Sequence, residues 1–278
     1  RLCHICGAIE PATISSGEVM KRKRPYRVPH FRDDLGKCNH DYIDVFLGYE
    51  FNTDLMVLEI ELDPQRLDLQ PSYALWIIPA LTTFAEALSQ AASLQLDVEY
   101  SDIKSGYRLR NSGERLYADI YLYDSLSSGA GYAARASKFI ESILDKMEII
   151  LSECDCDGSC PNCLENFYNQ REKHKLDRFI GLAFLKFIRN GEIDMYVSET
   201  RKDSFVKELN KIAMLQGRGT IIEKKNGVYI LHTSSGDKKL VIYPALFNPR
   251  LLNDCLAISD RRCKYDMESV WEELVVKL

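Results

Sequence analysis

The chain has 278 residues, of which 46% are hydrophobic and 28% charged, and carries a formal net charge of −5. That length is enough to bury a sizeable core in one or two domains, and the composition is that of an ordinary globular protein. No apolar run approaches the ~18 residues needed to cross a bilayer, and the acidic balance excludes a protein coated in nucleic acid over its whole surface.

Residues 1–44 read as a loop-rich leader. The first residue is Arg1, and a Cys-x-x-Cys follows at once, so the expectation is of a fragment of a longer chain. Within residues 1–40 there are eight Lys/Arg against four Asp/Glu, which leaves the remainder more acidic than the whole. The run Lys21-Arg22-Lys23-Arg24 is either a segment that binds a phosphate backbone or a solvated charge run. Cys3 and Cys6, followed by Gly7, form a knuckle whose second half would come from Cys38 and His40, with His4 in reserve. The alternative is a set of unpaired thiols in the leader.

Alternation of Met56, Leu58, Ile60 and Leu62 with Val57, Glu59 and Glu61 predicts a strand with one buried face over 54–62. Helical spacing of Leu75, Ile78, Leu81, Ala85, Leu88 and Ala92 predicts a helix over 73–94, with Pro79 either kinking it or marking where its regular part begins. Short strands are expected at 98–100 and 107–110, and a stronger one at 116–123. The segment from Asp124 to Gly131 is turn chemistry throughout. A long amphipathic helix is then expected over 132–151, its apolar face made by Ala136, Phe139, Ile140, Ile143, Leu144, Met147, Ile150 and Leu151.

Beyond the cysteines, Asp177 as cap and Gly191 just past the end bound a helix over 177–188. A further helix is expected over 203–215. Strands at 220–224 and 228–233 flank Lys225-Asn226-Gly227, a strong hairpin signal. A third strand is expected at 239–243 and a last helix at 267–276. The reading is an α+β fold with three parts: the leader 1–44, a zinc-binding domain over 45–190, and a small α/β region of unassigned role over 191–278.

The nine cysteines are clustered, with four of them within ten residues: Cys154, Cys156, Cys160 and Cys163. Disulfide frameworks belong to small secreted domains, whereas such clusters in a larger chain are usually metal sites, so the compartment is read as a reducing cytoplasm. A C-x-C pair and a C-x-x-C pair can present four thiolates to one tetrahedral ion, with Gly158 letting the chain fold back between them. Four sulfurs leave no position for water or substrate, which points to a structural zinc rather than a catalytic one. An iron–sulfur cluster also takes four cysteines.

Two further segments have the chemistry of nucleic-acid contact. The turn Ser128-Gly129-Ala130-Gly131, between a strand and a helix, is either a cradle of backbone N–H groups for a phosphate or simply a tight strand–helix junction. After the cysteines, Tyr168, Arg171 and Lys173 suit stacking and phosphate contact, while Glu172 and Asp177 among them suit a solvated loop.

In combination, the run Tyr121-Leu122-Tyr123-Asp124-Ser125-Leu126-Ser127-Ser128-Gly129-Ala130-Gly131-Tyr132, a helix, and Cys-x-Cys-x-x-x-Cys-x-x-Cys resembles the zinc-binding domain at the carboxyl end of MrfA-type superfamily 2 DNA helicases. That domain also occurs in the DrmB subunit of the DISARM anti-phage defence system. The resemblance covers about residues 50 to 180. It implies that the four clustered cysteines are zinc ligands and that the domain serves a DNA-translocating machine. One departure is that family members usually carry two adjacent glycines where this chain has Ser128 before Gly129.

The function expected is a non-catalytic zinc-binding module that engages DNA within a helicase-type complex, most directly a DISARM-like defence system, or otherwise a repair helicase. Its partners would be DNA and a helicase or ATPase subunit or domain, with no membrane. The chain holds no G-x-x-x-x-G-K-[ST] loop and no Asp-Glu-x-His box, so the motor is expected elsewhere. Competing readings are a protein-interaction scaffold without DNA binding, and a small nuclease within 200–278 around Asp237-Lys238-Lys239.

Overall fold

The computed structural model describes residues 2–5, 43–45, 50–69 and 76–276. It divides into two units, Arg1–Phe51 and Asn52–Leu278. In the first, Leu2 and Ile43 form an antiparallel bridge with N···O distances of 2.8 and 2.9 Å, and Cys3 is buried. Lys21, Arg22, Lys23, Arg24, Cys6, Cys38 and His40 lie outside the described residues.

The second unit begins with strand β1 (Leu55–Glu61), whose alternating residues reach the core as the period of two requires. Helix α1 (Ile77–Leu96) is buried around most of its girth. Pro79 is its third residue, where the missing N–H has no intrahelical partner to lose, so the regular helix starts there without a kink. Strands β2 (Ile103–Ser112) and β3 (Arg115–Asp124) form a hairpin, and the sheet order is β1-β3-β2, antiparallel throughout. Ala118, Ile120 and Leu122 of β3 face α1, while Tyr117, Tyr121 and Tyr123 lie on the opposite face. The segment 98–100, expected as a strand, is not one; the second strand begins only at Ile103.

The long helix expected over 132–151 is two helices, α2 (Tyr132–Ser137) and α3 (Ile140–Ser152). At the break the amides of Lys138 and Phe139 bond three residues back, to Arg135 and Ala136. This tighter turn rotates the helix face. Ala133 and Ala136 remain buried before it, and Ile143, Met147 and Leu151 after it, but Phe139 is turned out to solvent. Helix α4 (Arg178–Asn190) follows, capped by the Asp177 carboxylate and ended by Gly191 at positive φ, as expected. It packs on α1, where Phe84 and Phe184 meet edge to face at 5.5 Å between ring centroids.

A second core forms from helix α5 (Glu199–Leu215), strands β4 (Ile222–Lys225), β5 (Val228–Thr233), β6 (Gly236–Tyr243) and β7 (Leu256–Ser259), and helices α6 (Asp260–Tyr265) and α7 (Met267–Val275). Asn226 and Gly227 both take positive φ in the β4–β5 turn, the geometry that an Asn-Gly hairpin supplies. Strand β7 pairs with β6 in parallel. The two cores are stitched together by the segment after β6. Ala245 and Leu246 are buried in the first core, and Asn248 Nδ2 donates to the carbonyls of Pro64 and Gln65 at 3.1 and 3.2 Å. No helix among the described residues is long and apolar enough to cross a membrane.

Candidate metal centre

Helix α3 delivers the chain to Cys154, and α4 takes it away after Asp177. Between them the sulfurs of Cys154 and Cys160 stand 3.6 Å apart, those of Cys156 and Cys163 3.7 Å, and those of Cys160 and Cys163 3.8 Å. All four lie within 4.8 Å of one another. Four thiolates at about 2.3 Å from a tetrahedral ion stand about 3.8 Å from each other, so the spacing fits one closed site. Disulfide sulfurs would be about 2.05 Å apart. A polynuclear iron–sulfur cluster attaches its cysteines to different irons and so spreads them more widely.

The local chain explains the spacing. The amides of Cys163, Leu164 and Glu165 all converge on the Cys160 carbonyl at 3.0 to 3.1 Å, closing a tight knuckle. Gly158, at φ +144°, folds the chain back between the two halves. Electrostatics then favours a cation. The Cys156 backbone N–H and the neighbouring thiols bring the Cys154 thiol down to about 7. Burial instead pushes Cys156 and Cys163 up. A divalent ion reverses that opposition, because a coordinated thiol loses its proton outright.

The site is braced from outside. Buried Arg178 donates to the carbonyls of Cys156 and Leu151 at 2.8 and 3.3 Å, and its own amide bonds the Gly158 carbonyl at 2.8 Å. Lys264 of α6 donates to the Asp157 carbonyl. These two cations sit where a zinc with four thiolates, a dianionic group, needs compensation. Neither residue can be read into this role from the sequence: Arg178 reads there only as the end of the basic run after the cysteines, and Lys264 comes from the far end of the chain.

The glycine turn is built differently from an open anion site. The Asp124 carboxylate, fully buried, accepts from the amides of Ala130, Tyr132 and Ala133 at 2.6, 3.0 and 2.7 Å. Asp54 Oδ2 accepts from the Gly131 amide at 3.1 Å. A phosphate brought to Ser128, Gly129 and Gly131 would meet these two carboxylates, so the turn is filled from within. Ser128 has φ +78°, a left-handed conformation that glycine adopts at lower cost, which gives a physical sense to the glycine usual at this position in the related family.

After the cysteines the loop is both aromatic and basic. Phe167 and Tyr168 are exposed by 78% and 61%, and Arg171, Lys173 and His174 are exposed beside them. Asp237 pairs with His232 Nδ1 at 2.7 Å near the turn of the β5–β6 hairpin. Among the described residues, the four cysteines are the only group of three or more His, Cys, Asp or Glu placed to hold a metal, so the carboxylate cluster that a nuclease needs is not assembled around Asp237. Cys263 lies in the second core, where burial pushes its thiol up to about 12.

Residues 84–164 match the MrfA Zn-binding domain family, and zinc is the ion for the four-cysteine site. The chain is 32% identical over 255 residues to Druantia protein DruE of Escherichia coli (strain UMEA 4076-1), an alignment that covers 89% of this chain and 14% of that protein. Among solved structures it is similar to the DUF1998 helicase MrfA bound to DNA, at 17% identity and a TM-score of 0.34 over 44% of this chain and 15% of that one. The same helicase bound to DNA and AMPPNP gives 17% identity and a TM-score of 0.33, covering 47% and 15% of the two chains.

Proposed function

We propose that this chain is a non-catalytic, zinc-stabilised module that engages DNA on behalf of a helicase-type motor in an anti-phage defence complex. The observation that carries this reading is the juxtaposition of a closed four-sulfur site, inside a segment matching the MrfA Zn-binding domain, with the exposed aromatic and basic loop that it anchors. The metal fixes the loop at Cys163 and α4 fixes it at Asp177. Phe167, Tyr168, Arg171 and Lys173 are thus held out to solvent on a braced segment rather than on a floppy one. Aromatic rings and cations alternating in this way suit stacked bases and phosphates.

The similarity to Druantia protein DruE supports a defence setting, and supports one of that kind over a DISARM-like one. The Cys3, Cys6, Cys38 and His40 set belongs to the same proposal as a second zinc, and Lys21 to Arg24 as a second place of phosphate binding. Hydrolysis of ATP is assigned to a partner or to another segment of the machine.

Binding of a labelled DNA oligomer across a salt series tests this. Affinity should fall steeply as salt rises, and neutralising Arg171 and Lys173 should reduce the slope by about 1 for each phosphate left without its cation. Absence of DNA binding at low salt would favour a protein-interaction scaffold instead, and DNA-stimulated ATPase in the pure chain would overturn the non-catalytic assignment.

A further inference from the structure

Beside the metal centre lies a cleft of about 590 Å³, walled by α1, by β2 and by the loop that leads from Cys163 to Asp177. Its size falls within the about 300–1,000 Å³ span of ligand clefts. We infer that this cleft receives unstacked bases of single-stranded DNA, with Tyr168 and Tyr121 as stacking surfaces and the phosphates left at its rim. This inference rests on the DNA-engaging reading above and names which form of DNA is bound and where.

The aromatic walls are purpose-built. Gly106 of β2 stands opposite Tyr121 of β3, and the tyrosine ring lies across that strand towards the cleft. A Cβ on Gly106 would come within 2.6 Å of three atoms of the ring. Only glycine in this strand position leaves the ring where it is, and glycine in a strand interior otherwise weakens it. From the other side Tyr168 lines the same space, with the Lys104 ammonium resting over its ring at 4.1 Å from the centroid. A base that takes the lysine's place keeps the ring face covered and releases the ammonium towards the backbone phosphate that accompanies the base.

Charge decides which part of a nucleotide goes in. The inner wall carries Glu86, whose Oε1 accepts from Asn166 Nδ2 at 2.6 Å and from Gln90 Nε2 at 3.1 Å. A fixed carboxylate there disfavours a phosphate and offers acceptor oxygens to the N–H groups of a base edge. Arg171 and Lys173 are exposed on the loop and Lys104 stands on the edge strand β2, while Lys175, which also lines the cleft, is held by Glu172. Bases inward and phosphates outward is the arrangement of a single-strand site, which a duplex with its bases paired and stacked does not meet. The loop that supplies Tyr168 starts at the zinc ligand Cys163, so the metal positions one wall of the cleft.

The test is fluorescence anisotropy of the 278-residue chain with labelled dT12, with a duplex of equal length, and with thymidine as competitor. Zinc content and thermal unfolding serve as checks of folding. The parent chain should bind dT12 more tightly than duplex, and thymidine should compete only weakly because it brings no rim phosphates. Tyr168→Leu, at an exposed site, should weaken dT12 binding about tenfold, and Tyr168→Trp should restore it. Photocrosslinking of an oligomer carrying 4-thiothymidine should label Tyr121, Tyr168 or their neighbours. Equal binding of dT12 and duplex, unchanged in Tyr168→Leu but weakened by neutralising Arg171 and Lys173, overturns the cleft inference and leaves the DNA-engaging reading standing. Loss of all DNA binding in the parent overturns both, and thymidine competing as well as dT12 reassigns the cleft to a free nucleoside.

Discussion

Arg261 Nη1 donates to Asp177 Oδ2 at 2.8 Å, with the arginine side chain 5% exposed and the aspartate 1%. Eighty-four residues separate the two in sequence. The same carboxylate caps α4 by accepting from the Phe179 amide at 2.9 Å and takes the Tyr265 hydroxyl at 3.0 Å. The Asp177 amide in turn donates to Thr83 Oγ1 of α1 at 3.0 Å. One buried residue, through its amide and its carboxylate, therefore ties the central helix, the helix that leaves the metal site, and the carboxyl-terminal region into one unit.

Breaking this pair should be costly, because the remaining charge has no water to turn to. Arg261→Met leaves the Asp177 carboxylate buried beside a neutral side chain, and the expected loss is about 3–5 kcal/mol, the range for a buried pair deprived of one partner. The double variant with Asp177→Asn should recover part of it, since asparagine still caps the helix without a charge. Urea unfolding of the three proteins measures both effects. A loss below about 1 kcal/mol in Arg261→Met would mean that the pair is not the joint described here.

Asp260, the residue just before this arginine in α6, gives a dependence on pH. Burial raises its carboxyl from the ordinary 3.8 to about 6, against the pull of Arg201, whose Nη2 is no closer than 3.6 Å. Asp177 raises it further, while the Ala245 amide and Arg261 oppose that. A carboxyl whose value is raised by folding is neutral in both states below about pH 4 and costs nothing there. Between about 4 and 6 the folded protein holds a proton that the unfolded chain has lost, so stability falls as pH rises, and above about 6 the full cost remains. Asp260→Asn keeps an acceptor for the Ala245 amide and removes this titration. Relative to the variant, the parent should lose on the order of 3 kcal/mol between about pH 4 and pH 6.5. Parallel curves for the two proteins over that window would refute the assignment.

Much of this architecture could be read from short-range signals. Asp177 and Gly191 bound α4 because a cap and a left-handed terminator act within one turn of helix, and Asn226-Gly227 sets a hairpin for the same reason. The four cysteines were legible because their spacing is itself the constraint on the ion. What escaped was assembled over distance. The β7 strand Leu256–Ser259 has only four residues and no alternation to betray it, and it exists because β6 offers it an edge. The break at Lys138 and Phe139 lies in an unbroken helical pattern with no glycine or proline, and marks a change of neighbours: α2 lies on β1, β3 and α1, whereas α3 lies on α1 and α4. Of the cleft, only Tyr168 stood out in the sequence; the residues of α1 and β2 that face it are joined to it by the fold.

The carboxylate inside the glycine turn makes a separate test of how α2 starts. Asp124 accepts three amide hydrogen bonds while fully buried, and Asp54 adds one from Gly131 at the start of α2. Asp124→Ala should destabilise the chain by at least about 3 kcal/mol, given about 1.5–3 kcal/mol for a hydrogen bond to a charged group and incomplete relaxation around the others. Asp124→Asn, which accepts but also brings unwanted donors, should lie between the two. Thermal unfolding ranks them, and an alanine variant as stable as the parent would show that the turn holds itself without the carboxylate.

The metal links the local chemistry of the cysteines to the whole second unit. Elemental analysis should find at least one zinc per chain, and two if Cys3, Cys6, Cys38 and His40 close a second site. Cys160→Ser should lower the count by one and lower the unfolding temperature, because binding energy at a closed site is also folding energy. Lys264 and Arg178 join the cysteine loop to α6 and α4, so loss of the ion should spread beyond the loop. Hydrogen exchange after chelation should therefore speed up at residues 154–178 and also in 260–265. Faster exchange confined to 154–163 would show that the carboxyl-terminal region is only a neighbour of the metal site and does not depend on it.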